Sequence, residues 1–107
     1  MINRPLFIIQ RLSALVMVPL VFGHLALMIY AVQGGLSVDE ILGRTQGSWF
    51  WFCYYGVFVL AASVHGAIGL RTICGEWLGL RRGLDMLTWL VAASLTCLGL
   101  WAVVAVT

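Results

Sequence analysis

Three long apolar runs separated by polar breaks dominate this chain. They cover Leu12 to Val32, Trp49 to Leu70 and Met86 to Val106. Each is about 21 residues, enough to cross roughly 30 Å of hydrocarbon at about 1.5 Å per residue. None contains Asp, Glu, Lys or Arg. Backbone groups in hydrocarbon have no water to bond, so such runs must be helical. The pattern predicts an all-α fold: an integral membrane three-helix bundle, with residues 1–107 as a single membrane-anchor domain. The first run is too long for a signal-peptide core, and no clear cleavage site follows it, so it reads as a retained span.

The breaks carry their own signals. The N-terminal stretch before Leu12 predicts a short apolar segment along or into the interface, with Pro5 suited to a first helical turn. Ser37-Val38-Asp39-Glu40 is a capping-box pattern, which predicts a short interfacial helix over Val38 to Leu42 after the Gly34-Gly35 break. Trp49, Trp51, Tyr54 and Tyr55 crowd one end of the second run and read as an aromatic belt. Arg71 to Leu84 reads as a short loop broken by Gly75, Gly79 and Gly83. Pro19 lies inside the first run, where it removes a backbone bond and predicts a kink about one turn before His24.

Composition strengthens the membrane reading. The chain is 63% hydrophobic and 9% charged, against about half and about a quarter for a soluble domain. Mean hydropathy is +1.05. Charge adds orientation. Arg4, Arg11, Arg71, Arg81 and Arg82 fall on one side, and Arg44 alone on the other. The positive-inside rule puts the N-terminus and second loop in the cytoplasm, and the first loop and Thr107 outside. Six dispersed arginines exclude a nucleic-acid surface; they read as topology determinants or as partners for carboxylates and acidic lipid headgroups. Cys53, Cys74 and Cys97 show no CxxC or CxxCH spacing, which argues against a zinc knuckle, a thioredoxin-like site and covalent c-type haem.

The chemistry rests on two histidines, His24 and His65, each inside a membrane-length run. Ionisable groups there are costly and face a bundle interior, a cavity or a ligand. Neutral imidazole is well suited to holding haem iron from an apolar slab. Around His65, Ala61, Ala62, Gly66 and Gly69 are small, which suits either close helix packing or a flat macrocycle. His24 follows Gly23. From the cytoplasmic edge, His24 lies roughly 20 Å deep and His65 roughly 9 Å. A height difference of about 10 Å makes them a poor pair for one iron. Two haem sites fit better, each taking its other axial ligand from a partner subunit or a second copy. The alternative is a buried histidine satisfied by Ser, Tyr or a carbonyl.

These residues resemble a family. His65-Gly66-Ala67-Ile68-Gly69-Leu70-Arg71, with Glu76 eleven residues after the His, resembles the H-x3-G-[IL]-R…[DE] signature of complex II membrane anchors, the cytochrome b subunits of succinate dehydrogenase and fumarate reductase. Arg11-Leu12-Ser13-Ala14 and His24-Leu25 resemble the R-x-[ST]-[GA]…H-L pattern of two-haem members built from two small subunits. The resemblance covers about Arg11 to Trp77. It implies His65 as axial ligand of a b-type haem, His24 as ligand of a second, and Arg11 and Arg71 at haem propionates. It also implies a quinone, a second membrane-anchor subunit, and iron–sulfur and flavoprotein subunits at the cytoplasmic face of a prokaryotic cytoplasmic (inner) membrane. Two departures stand out. Glu76-Trp77 replaces the Asp-Tyr pair of one-haem anchors; the Trp77 indole is one hydrogen-bond donor for a quinone, or an interfacial anchor. The S-x3-R segment is absent, leaving Ser13 and Arg11 as nearest quinone candidates.

The expected function is therefore a non-catalytic electron-transfer anchor of succinate:quinone oxidoreductase or fumarate reductase. A haem-free structural anchor of another respiratory complex is the alternative. A small multidrug transporter requires an intramembrane carboxylate, and these spans have none.

Overall fold

The computed structural model of the chain describes residues 4–79 and 81–107. Those residues form four helices and no strand: α1 (Arg4–Gly34), α2 (Val38–Thr45), α3 (Trp49–Trp77) and α4 (Leu84–Val106). α1, α3 and α4 are long and apolar enough to cross a membrane, and α2 is the short helix foreseen at the capping box. The protein is an all-α membrane bundle. α3 is the central element, packed against α1 on one side and α4 on the other.

The helices overrun the apolar runs. α1 is continuous from Arg4, so from that residue on, the expected interfacial segment is the first turns of a span. α3 continues to Trp77, making Arg71 and Glu76 helical and shrinking the expected Arg71 to Leu84 loop to residues 78–83. The physical reason is hydrogen bonding. A helix leaving hydrocarbon keeps its internal bonds unless something offers its backbone a better partner, and the glycine at 75 does not. The positive φ values fall later, at Gly79 (69°) and Gly83 (77°), where the chain turns.

α2 runs to Thr45 rather than Leu42, and its cap is complete: the Glu40 amide donates to Ser37 Oγ, and the Ser37 amide donates to the Glu40 carboxylate. The Ser37 hydroxyl also donates to Glu40 at 2.7 Å. These bonds hold the Glu40 carboxyl below its usual pKa. Glu40 folds over Gly35, which has φ 123° and no room for a Cβ. The Arg44 guanidinium donates to the Gly35 carbonyl at 2.6 Å and lies over the Tyr30 ring. Thr45 Oγ1 donates to the Val106 carbonyl, and the Gly47 amide to the Thr107 carbonyl. The connection between α1 and α3 is thus tied both to the end of α1 and to the end of α4.

Little of the chain is buried. Ala67, Ile68, Cys74, Leu84 and Val103 are the buried apolar residues among those described, and no large side chain is fully enclosed. Close contacts do the packing instead. A Cβ on Gly99 of α4 would overlap Val59 Cγ1 of α3. A β-branched Val is stiff at χ1, so Gly99→Leu should force α3 and α4 apart. We expect a cost of about 1–3 kcal/mol, read as a lower thermal midpoint of the purified complex; an unchanged midpoint would show that this seam yields freely.

Candidate haem and quinone site

The bundle has two chemically distinct ends. At one, the start of α1 meets the second half of α3 and the start of α4. Here Ser13 of α1 lies 3.4 Å from His65 Nδ1 of α3, through its Oγ. Ser13 is one of three buried polar residues among those described, and its hydroxyl donates to the Gln10 carbonyl at 2.9 Å. This is the back-bonding habit of Ser in a helix, satisfied within its own turn. Gln10 continues the cluster: its side-chain nitrogen sits near the open face of Gly69, and its Oε1 is buried without a partner. Nε2 of His65 takes no hydrogen bond from a described residue.

Arg71, six residues beyond His65, turns to α4. Its guanidinium pairs with Asp85 at 2.6 Å and reaches Thr88 Oγ1 at 3.3 Å, while its Nε is buried and unpartnered. A groove of about 300 Å³ runs beside it, lined by Leu6, Ile9, Trp89 and Ala92 among others. Arg11 is exposed and lies over the Phe7 ring. Glu76 and Trp77 are exposed at the end of α3. The structure thus brings Ser13 and His65 together, and joins neither to Arg71, Glu76 or Trp77.

His24 belongs to the other end. Its ring makes edge contacts with Tyr55 and Phe58 of α3, at 6.3 and 5.5 Å between centroids. It makes no hydrogen bond to a described residue. Phe58 and His65 are seven residues apart on α3, and Tyr55 and His65 ten, so the two imidazoles stand roughly 10–15 Å apart along the axis. His24 opens on two grooves. One, of about 490 Å³, is bounded by Leu27, Ala31, Ile41, Trp51 and Arg44. The other, of about 440 Å³, lies against Phe58, Ala62, Gly99 and Val103.

Two features escaped the sequence reading. Tyr54 and Tyr55 do not serve the belt alone; they turn inward. The Tyr54 hydroxyl donates to the Leu20 carbonyl at 2.7 Å, just past Pro19. It fills the face of Gly23, where a Cβ would meet it at 2.5 Å. The small residue beside His24 therefore seats a tyrosine. Gly23 opposite the Tyr pair was the only available signal. Arg44, which the charge pattern gives as the lone arginine on its side, rims the groove that His24 opens on.

The arrangement offers two imidazoles at separate depths, each with at least one ring nitrogen that no described residue bonds. The described residues hold no cluster of three or more His, Cys, Asp or Glu. So this donor set suits a centre that takes a single imidazole from this chain. The family model described as succinate dehydrogenase/fumarate reductase transmembrane subunit matches residues 4–106. No curated protein and no solved structure matches.

Proposed function

This chain belongs to the succinate dehydrogenase/fumarate reductase transmembrane subunit family, and we propose that within such a complex it supplies one axial histidine to each of two b-type haems. The observation that carries this reading is the pair of imidazoles inside two spans, each with a ring nitrogen that no described residue bonds. An imidazole nitrogen without a partner in hydrocarbon loses its hydrogen bond to water and gains nothing. Metal coordination restores that loss.

The residues fit the group. At His65, Ser13 Oγ lies against Nδ1 and no described residue bonds Nε2, while Gly66 faces Leu95 of α4 and Gly69 faces Gln10 of α1. At His24, apolar walls and the Arg44 guanidinium at the rim match a flat apolar ring that carries carboxylates. The haem, when bound, supplies one-electron Fe(III)/Fe(II) chemistry in a low-dielectric setting. This chain's own residues hold and orient it and exclude water. They perform no bond chemistry on a dicarboxylate. His65 and His24 would each hold one haem from this chain, and a second anchor subunit would supply the remaining protein ligand of each. The N-terminal end, rich in Arg, faces the cytoplasm and the iron–sulfur and flavoprotein subunits. A quinone then binds near that same end, with Trp77 as donor and Glu76 beside it. The setting is a prokaryotic cytoplasmic membrane. Arg11, exposed and free of an acidic partner among the described residues, remains the propionate candidate at the His65 end. Arg71 serves there only by releasing Asp85.

The test is a reduced-minus-oxidised optical spectrum of the purified complex. We expect a b-type α-band with two haems per copy of this chain. A complex that assembles with no such band would overturn the reading in favour of a haem-free anchor.

A further inference from the structure

We infer, resting on His65 as an iron ligand, that Ser13 is its positioning residue: Ser13 Oγ accepts from Nδ1–H of His65 and leaves Nε2 as the nitrogen with the free lone pair. A serine hydroxyl has one hydrogen. Two acceptor candidates compete for it, the Gln10 carbonyl at 2.9 Å and His65 Nδ1 at 3.4 Å. A carbonyl can only accept, and the shorter contact takes the hydrogen. Ser13 Oγ then faces the imidazole with lone pairs alone. A lone pair on Nδ1 would oppose them, so Nδ1 carries the ring's hydrogen. A neutral imidazole has only one, so Nε2 is bare.

The relay runs His65 Nδ1–H to Ser13 Oγ–H to the Gln10 carbonyl, and it crosses from α3 to α1. It gives the imidazole on α3 a fixed ring orientation against α1. It also explains why a polar side chain is buried at position 13 (8% exposed), where an apolar residue would face lipid or protein at no cost. Ser13 spends its hydrogen on Gln10, so it has none left for a quinone carbonyl, and its role shifts from quinone contact to ligand orientation.

The consequence is measurable at the iron. An acceptor on Nδ1–H makes the imidazole a stronger donor through Nε2, which favours Fe(III). Removing the acceptor raises the midpoint potential of that haem. For Ser13→Ala in the purified complex we expect an upward shift of up to about tenfold in the one-electron equilibrium, which is about 59 mV. The ferric electron paramagnetic resonance spectrum should change with it, because the ring loses its orientation. Ser13→Thr keeps the hydroxyl and should keep the potential. Ser13→Val matches Thr in size without the hydroxyl and should shift like Ala, so the Thr/Val pair carries the test if Ala does not assemble. Equal potentials in Thr and Val, or a downward shift in Ala, would overturn the role of Ser13. Full haem content in a His65→Leu complex would instead overturn the ligand reading beneath it. Haem loss there, with an unmoved Ser13 series, would overturn only this inference.

Discussion

A His65→Leu complex should assemble with one b-type haem instead of two, halving the α-band of the reduced-minus-oxidised spectrum. Leu is close in size and costs nothing in hydrocarbon, so α3 keeps its helix. The variant loses the bare Nε2, and no other described group at that end can replace it. Arg71 is committed to Asp85 and Thr88, and Ser13 keeps its bond to Gln10. The loss should therefore be the whole of one haem rather than a weakened site. The complex should also unfold at a lower temperature, because a bound group that prefers the folded state stabilises it. An undiminished α-band would place the haem ligands on other chains.

Replacing His24 by Leu should remove the other haem and leave the first with its potential unchanged. The two imidazoles stand roughly 10–15 Å apart along the bundle and share no side-chain partner. Their effects should add, as they do for distant, independent sites, and the double variant should have no α-band at all. The grooves beside His24 should accept Leu without strain, since their walls are already apolar. Loss of both haems from the His24 variant alone would show that the two ends are not independent.

The spans were legible because hydrocarbon enforces them: a run without charge, long enough to cross, has no fold open to it but a helix. The separate depths of the histidines were legible for a related reason, since residue number along a helix is a ruler. The ends of the helices were not. Arg71 and Gly75 read as loop because polarity marks where the bilayer stops, and helices do not stop there. The direction of a side chain around its helix was the least legible quantity. In a chain that buries only a handful of residues, hydrophobic periodicity is too flat to assign an inner face. That is why Tyr54 reads as an interfacial ring when it bonds across to Leu20, and why the sequence does not place Arg44 at the rim of a groove. Ser13 enters from the sequence only through the Arg11-Leu12-Ser13-Ala14 motif and as a quinone candidate; its imidazole partner lies 52 residues away in sequence, and only the packing of α1 on α3 reveals it.

An experimental structure of the intact complex tests the central claim most directly at His65. The account predicts Nε2 within coordinating distance of a haem iron, Nδ1 bonded to Ser13 Oγ, and the opposite axial ligand on another subunit. A His65 ring with no iron beside it would contradict the account.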